Sequence, residues 1–156
     1  MNFPKMIRVR QRLDKLVLED ISQEIFSQID RISLSSRIKE GESVAIGCSS
    51  RGIANYADIV KATVQKLQEL GLKPFIFPAM GSHGSASSEG QKKVLEHYGV
   101  TEKAMGVPIK SSLDVVQIGE TEDGIPVCID KLANNADHVV LINRIKMHTD
   151  FEADIE

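Results

Sequence analysis

Two stretches of this chain each run from a short apolar segment, through a loop of small polar residues, into a helix-period segment stopped by glycine. In the first, Val44-Ala-Ile46 leads into Gly47-Cys-Ser-Ser-Arg51-Gly52. Ile59, Ala62, Thr63, Lys66, Leu67 and Leu70 then recur at helical spacing before Gly71. In the second, Pro74-Phe-Ile-Phe-Pro-Ala-Met80 leads into Gly81-Ser-His83-Gly84-Ser-Ala-Ser-Ser88, followed by a helix over 88–98 and then Gly99. Short apolar runs of this kind read as strands covered on both faces, and glycine is the residue best suited to leave a helix by a left-handed turn. Two strand–loop–helix units in succession imply a parallel sheet with helical crossovers. The expected fold class is therefore α/β, an open and mostly parallel sheet flanked by helices.

The remaining segments fit around that unit. Residues 6–10 alternate apolar and charged side chains, which predicts a half-exposed strand at a sheet edge. Ile21, Ile25, Phe26, Ile29 and Ile32 fall three and four apart, which predicts a helix with one buried stripe. Asp20 is either its N-cap or part of its first turn. Segments 114–119 and 124–129 read as strands joined through Glu122-Asp-Gly124, hence a hairpin or an excursion from the sheet. Residues 132–136 form a short helix or turn. His138-Val-Val-Leu-Ile-Asn143 reads as a central strand that delivers Arg144, Lys146, His148 and Asp150 to the carboxyl edge of the sheet.

Bulk properties narrow the function. At 156 residues the chain is long enough for one domain with a real core. Its 19 basic and 22 acidic residues give a net charge of −3, so there is no electrostatic case for a nucleic-acid partner. No apolar run reaches membrane-spanning length, and the first residues lack the apolar stretch of a signal peptide. Cys48 and Cys128, each in an apolar run and neither in a CxxC pair, are expected to be buried thiols in a reducing compartment. A cytoplasmic protein is the expectation that follows.

In open α/β sheets, ligands sit beyond the carboxyl ends of the strands, so three loops stand out. Ser49, Ser50 and Arg51 offer two hydroxyls and a guanidinium fork suited to carboxylate or phosphate, unless Arg51 simply extends into solvent. The glycines are mis-spaced for a P-loop or a dinucleotide fingerprint. Gly81, Ser82 and Gly84 allow backbone N–H groups to approach an anion beside a helix start. Bracketed by glycines, His83 suits a general acid or base, or a ligand contact. Extended backbone after residue 143 would turn Lys146, His148 and Asp150 to one side, where Lys146 could hold an acidic substrate and Asp150 could orient His148. A plain charged surface loop is the alternative. His97 reads as a helix C-terminal residue and His138 as structural, and no histidine spacing implies a metal site.

Taken together, Ser49-Ser-Arg51-Gly-Ile-Ala-Asn55, Pro78-Ala-Met-Gly-Ser-His83-Gly-Ser-Ala86, Asp123-Gly-Ile-Pro126 and Asn143-Arg-Ile-Lys-Met-His148-Thr-Asp-Phe151 resemble the nickel-pincer-dependent lactate racemase superfamily, closest to its uncharacterised branch. The resemblance implies the N-terminal domain of a two-domain isomerase that racemises or epimerises a small 2-hydroxy acid. It implies hydride transfer to a nickel-pincer nucleotide, with His83 and His148 as acid/base groups on opposite faces of the substrate. Arg51 would hold cofactor or substrate, Lys146 would assist with substrate, and Ser49, Ser50, Gly81, Ser82 and Gly84 would complete the cofactor cradle. Cys48 and Met147 depart from the racemases proper, which carry an acidic residue and a proline at those places. The cofactor-anchoring lysine and the nickel-ligating histidine are expected beyond Glu156. On that expectation, residues 1–156 are one domain cut before its partner domain, with an apolar face able to dimerise. Two alternatives stay open: an α/β domain binding a nucleotide or phosphorylated substrate without nickel, and a non-catalytic binding module.

Overall fold

The computed structural model of the chain describes residues 6–12, 17–145 and 152. Strand β1 (Ser43–Cys48) lies at the centre of a three-stranded sheet, with β2 (Lys73–Pro78) on one side and β5 (His138–Ile142) on the other, all parallel. Every β1 residue after Ser43 is buried. Its alternating side chains feed two different cores, as a strand covered on both faces requires. Val44, Ile46 and Cys48 join the larger core, whereas Ala45 packs with Phe75, Phe77 and Ala133 on the opposite face.

Helix α2 (Tyr56–Glu69) makes the crossover from β1 to β2 and covers the larger core with Tyr56, Val60, Val64 and Leu67. Burial of each such aliphatic side chain contributes about 2 kcal/mol. Gly71 follows the helix at φ +80°, as the helix-stop reading requires. Helix α3 (Ser88–His97) follows β2 and adds Leu95 to the same core. A short helix α4 (Glu102–Met105) then leads to a backbone rung in which Ile76 N–H donates to the Pro108 carbonyl and Lys110 N–H to the Ile76 carbonyl, both at 2.9 Å. That rung covers the outer flank of β2.

Strands β3 (Val115–Glu120) and β4 (Pro126–Asp130) form a separate antiparallel hairpin with an irregularity between Gln117 and Gly119. Helix α5 (Lys131–Asn134) follows β4 directly. It is capped by Asp130, whose Oδ1 accepts from the N–H groups of Leu132 and Ala133 at 2.7 and 3.2 Å. At the amino edge of the main sheet, Asp137 Oδ2 accepts from both the N–H and the hydroxyl of Ser43, at 2.8 and 2.7 Å. His138 Nε2 lies 2.7 Å from Glu42 Oε2. These contacts pin β5 to β1 in one register and give His138 the structural role expected of it.

Helix α1 (Ile21–Arg31) starts on Asp20, whose Oδ1 accepts from Gln23 N–H at 2.9 Å, so Asp20 is the N-cap. The helix packs on α2, with Lys66 Nζ 2.8 Å from Asp30 and 5.3 Å from the Phe26 ring centre. Its apolar stripe is half-covered rather than buried, with α2 as its principal partner among the described residues.

Three other expectations are corrected. Residues 6–10 are not a strand: Met6 is 97% and Ile7 82% exposed, and alternation without a neighbouring ladder leaves the backbone unpaired. β5 borders the described sheet instead of lying at its centre. Val139 and Leu141, on the sheet face that carries the smaller core, are 44% and 61% exposed. Cys48 is buried, but Cys128, on the hairpin, is exposed.

Candidate functional site

The three strands end level with one another. Cys48 registers with Pro78 on one side and with Ile142 on the other, so the loops after β1, β2 and β5 leave the sheet along a single edge. This is the edge at which open α/β sheets place their ligands.

The first loop stands on a buried platform. Tyr56, the first residue of α2, donates its hydroxyl to the Ser49 carbonyl at 3.2 Å, and Tyr98 donates to the Ser50 carbonyl at 3.1 Å. The two rings meet edge to face, 5.8 Å apart. Burial raises the Cys48 thiol to about 11, and it raises the Tyr56 phenol as well, reinforced by the nearby Cys48. Neither group ionises near neutral pH. Ser49 is 8% exposed, and its hydroxyl has no hydrogen-bond partner among the described residues. Arg51 is exposed at the tip of the loop.

The second loop is clamped to α3. Gln91, buried within that helix, donates its side-chain amide to the Gly81 carbonyl at 2.8 Å. Ser87 caps the helix by accepting from Gly90 N–H at 3.1 Å, and its hydroxyl also donates to the Gly84 carbonyl at 3.1 Å. A Cβ on Gly84 would fall 2.5 Å from the Gln91 backbone nitrogen, and one on Gly90 only 1.8 Å from the Gly84 carbonyl oxygen. The smallness of Gly84 is therefore demanded by helix packing. Gly81 differs, since a Cβ there would meet nothing within 4 Å. Ser85 and Ala86, at φ 57° and 48°, take left-handed backbone that costs a non-glycine residue about 1 kcal/mol or more.

These supports leave His83 and Ser82 exposed. His83 borders a cleft of about 450 Å³ together with Ser50 of the first loop and Lys93, His97 and Tyr98 of the α3 region. The structure thus brings the first and second loops to one cleft. It also adds Lys93, which the sequence reading passed over, and His97, which it read as a helix C-terminal residue. Their four-residue spacing on a helix was the signal that could have paired them. Arg51 lies outside that lining. On the third loop, Asn143 and Arg144 are exposed beyond β5, whereas Lys146, His148 and Asp150 lie outside the described residues.

A parallel sheet whose strands end level beneath small-residue loops defines the open α/β class, with its cleft at the carboxyl edge. Within that class, the family model of the lactate racemase N-terminal domain matches residues 6–151, and the chain belongs to this family. A comparison with curated proteins gave no match.

The family is associated with a nickel cofactor, and the described residues suit the two parts of such a group unequally. The unpartnered Ser49 hydroxyl and the open space over Gly81 fit a polar, anionic group at the sheet edge. No three His, Cys, Asp or Glu side chains among the described residues are grouped to hold a metal ion. No described helix is long and apolar enough to cross a membrane.

Proposed function

We propose that the chain is the N-terminal domain of a two-domain racemase or epimerase for a small 2-hydroxy acid. The observation that carries the reading is the level ending of β1, β2 and β5, which sends three loops bearing polar and ionisable groups to one edge. Family membership supports the same chemistry.

In this reading His83 and His148 exchange a proton with the substrate hydroxyl from opposite faces, each within about 2.6–3.2 Å of the oxygen it serves. Arg51 and Lys146 hold the carboxylate, a task suited to a guanidinium fork and a mobile ammonium. Ser49, Ser50, Arg51, Gly81, Ser82 and Gly84 cradle the cofactor, with Gly84 acting through the loop shape it permits. The nickel-pincer nucleotide, when bound, supplies the hydride acceptor that no side chain provides.

The test is turnover by the complete, cofactor-loaded enzyme. His83→Ala and His148→Ala are each expected to abolish racemisation while circular dichroism and thermal unfolding stay unchanged. Full activity in either variant would remove that histidine from the mechanism. Activity retained without stoichiometric nickel would favour a nickel-free enzyme acting on a nucleotide or phosphorylated substrate.

A further inference from the structure

The cleft beside His83 has a charge pattern that the racemase reading leaves unused. Lys93 and His97 are four residues apart on α3, so their side chains share one face of the helix. Both border the same 450 Å³ cleft as His83, and no carboxylate does. Glu89 and Glu96 of the same helix are exposed and outside that lining. Among the described residues, no carboxylate lies within 4.0 Å of Lys93 or His97; the ion pairs involve Lys66, Lys131 and His138 instead.

The cleft is also held in shape. Tyr98 ties α3 to the first loop through its bond to the Ser50 carbonyl, and its ring meets that of His97 edge to face at 5.5 Å and 69°. The opposite wall is the second loop, fixed by the Gln91 amide and by the contact between Gly84 and the backbone at Gly90 and Gln91. An ammonium and an imidazole on one wall and a second imidazole on the other, with no acid between them, make a site whose charge is left for a ligand to balance. Its volume lies in the range of small-molecule sites.

We propose that His83, Lys93 and His97 form an oxyanion subsite that holds an acidic group of a small ligand. Where His83 also serves as an acid/base group, as the proposed racemase function requires, the preferred substrate carries a second anionic group. Lys93 and His97 then hold its distal end, and the reacting hydroxyl lies near His83. The chemistry required is a cluster of anionic oxygens, supplied either by a phosphate ester or by a second carboxylate.

The test is an NMR titration of the full chain, first with inorganic phosphate and then with acetate, following the histidine ring resonances at constant pH and ionic strength. The His83 and His97 rings are expected to shift together and to saturate, with the midpoint in the millimolar range typical of an exposed charge-assisted contact, on the order of 1–10 mM. Lys93→Gln combined with His97→Gln is expected to raise the midpoint, read at His83, by about tenfold while leaving the circular dichroism spectrum intact. Tighter phosphate binding identifies a phosphate ester as the ligand class, and equal or tighter acetate binding identifies a carboxylate. Rings that stay unmoved by both anions, or a midpoint unchanged in the double variant, overturn the subsite. The measurement involves no turnover, so a failed racemase assay leaves it standing, and an absent anion response removes the subsite alone.

Discussion

The side-chain amide of Gln91, only 4% exposed, donates to the carbonyl of Gly81 at 2.8 Å. A polar group buried this deeply is retained only where it is bonded, and here the bond reaches ten residues back along the chain to the start of the His83 loop. Gln91 is therefore a positioning residue for that loop. Gln91→Leu keeps most of the volume and removes the donor. The expected loss of stability is about 1 kcal/mol, by chemical denaturation. Amide exchange over 81–86 is expected to accelerate more than elsewhere. Uniform acceleration across α3 would mean that Gln91 serves only the core.

A second prediction concerns acid. The hydrogen bond from His138 and the Lys39 N–H hold the Glu42 carboxyl below its ordinary 4.5, and the Ser43 hydroxyl and N–H hold Asp137 below its ordinary 3.8. A carboxyl lowered in the folded state binds its proton more readily when unfolded. Its stabilisation is therefore complete above the unfolded value and is lost as pH falls through the folded one. The urea midpoint is expected to drop as pH is lowered below about 5, and Asp137→Asn is expected to flatten that drop. An identical pH profile in the variant would show that the contact at the amino edge of β5 contributes nothing.

The two thiols should behave oppositely. Cys128 is exposed and Cys48 is buried, so the native protein is expected to react rapidly with one equivalent of a thiol reagent and with two after unfolding. Burial raises Cys48 from its ordinary 9.0 to about 11. The folded state thus retains a proton that the unfolded state releases, and stability falls as pH rises through that window. Cys48→Ala is expected to lessen the alkaline loss. Rapid modification of both thiols in the folded protein would contradict the packing of β1.

Much of this architecture was legible from the pattern of residues. Both strand–loop–helix units follow from local chemistry, apolar runs and glycine at positive φ, whereas the pattern about Gly124 allowed a hairpin or an excursion and Asp20 an N-cap or a first-turn place. Neighbour relations were not legible. The run 139–142, Val-Val-Leu-Ile, reads as interior because it is apolar, yet strand order places it beside β1 alone, with Leu141 left largely exposed. Cys128 sits in an equally apolar run on a hairpin whose Val115, Ile118 and Ile125 are exposed too.

The candidate site divides in the same way. Loop composition singled out His83. His97 passed for an ordinary helix terminus because only the fold of the 81–87 loop back onto α3 brings the two rings to one cleft. Gln91 resembles any polar helix residue until its partner across the loop is known.

The attachment of Ser50 to Tyr98 at one end of α3, and of Gly81 to Gln91 near the other, makes that helix a common mount for two loops. A ten-residue helix is a rod of about 15 Å. The span between the loops is thereby set by the helix, much as a tie bar keeps two rails at constant gauge. Substitutions along the hidden side of α3 should consequently be felt at the loop tips, far from any atom they touch.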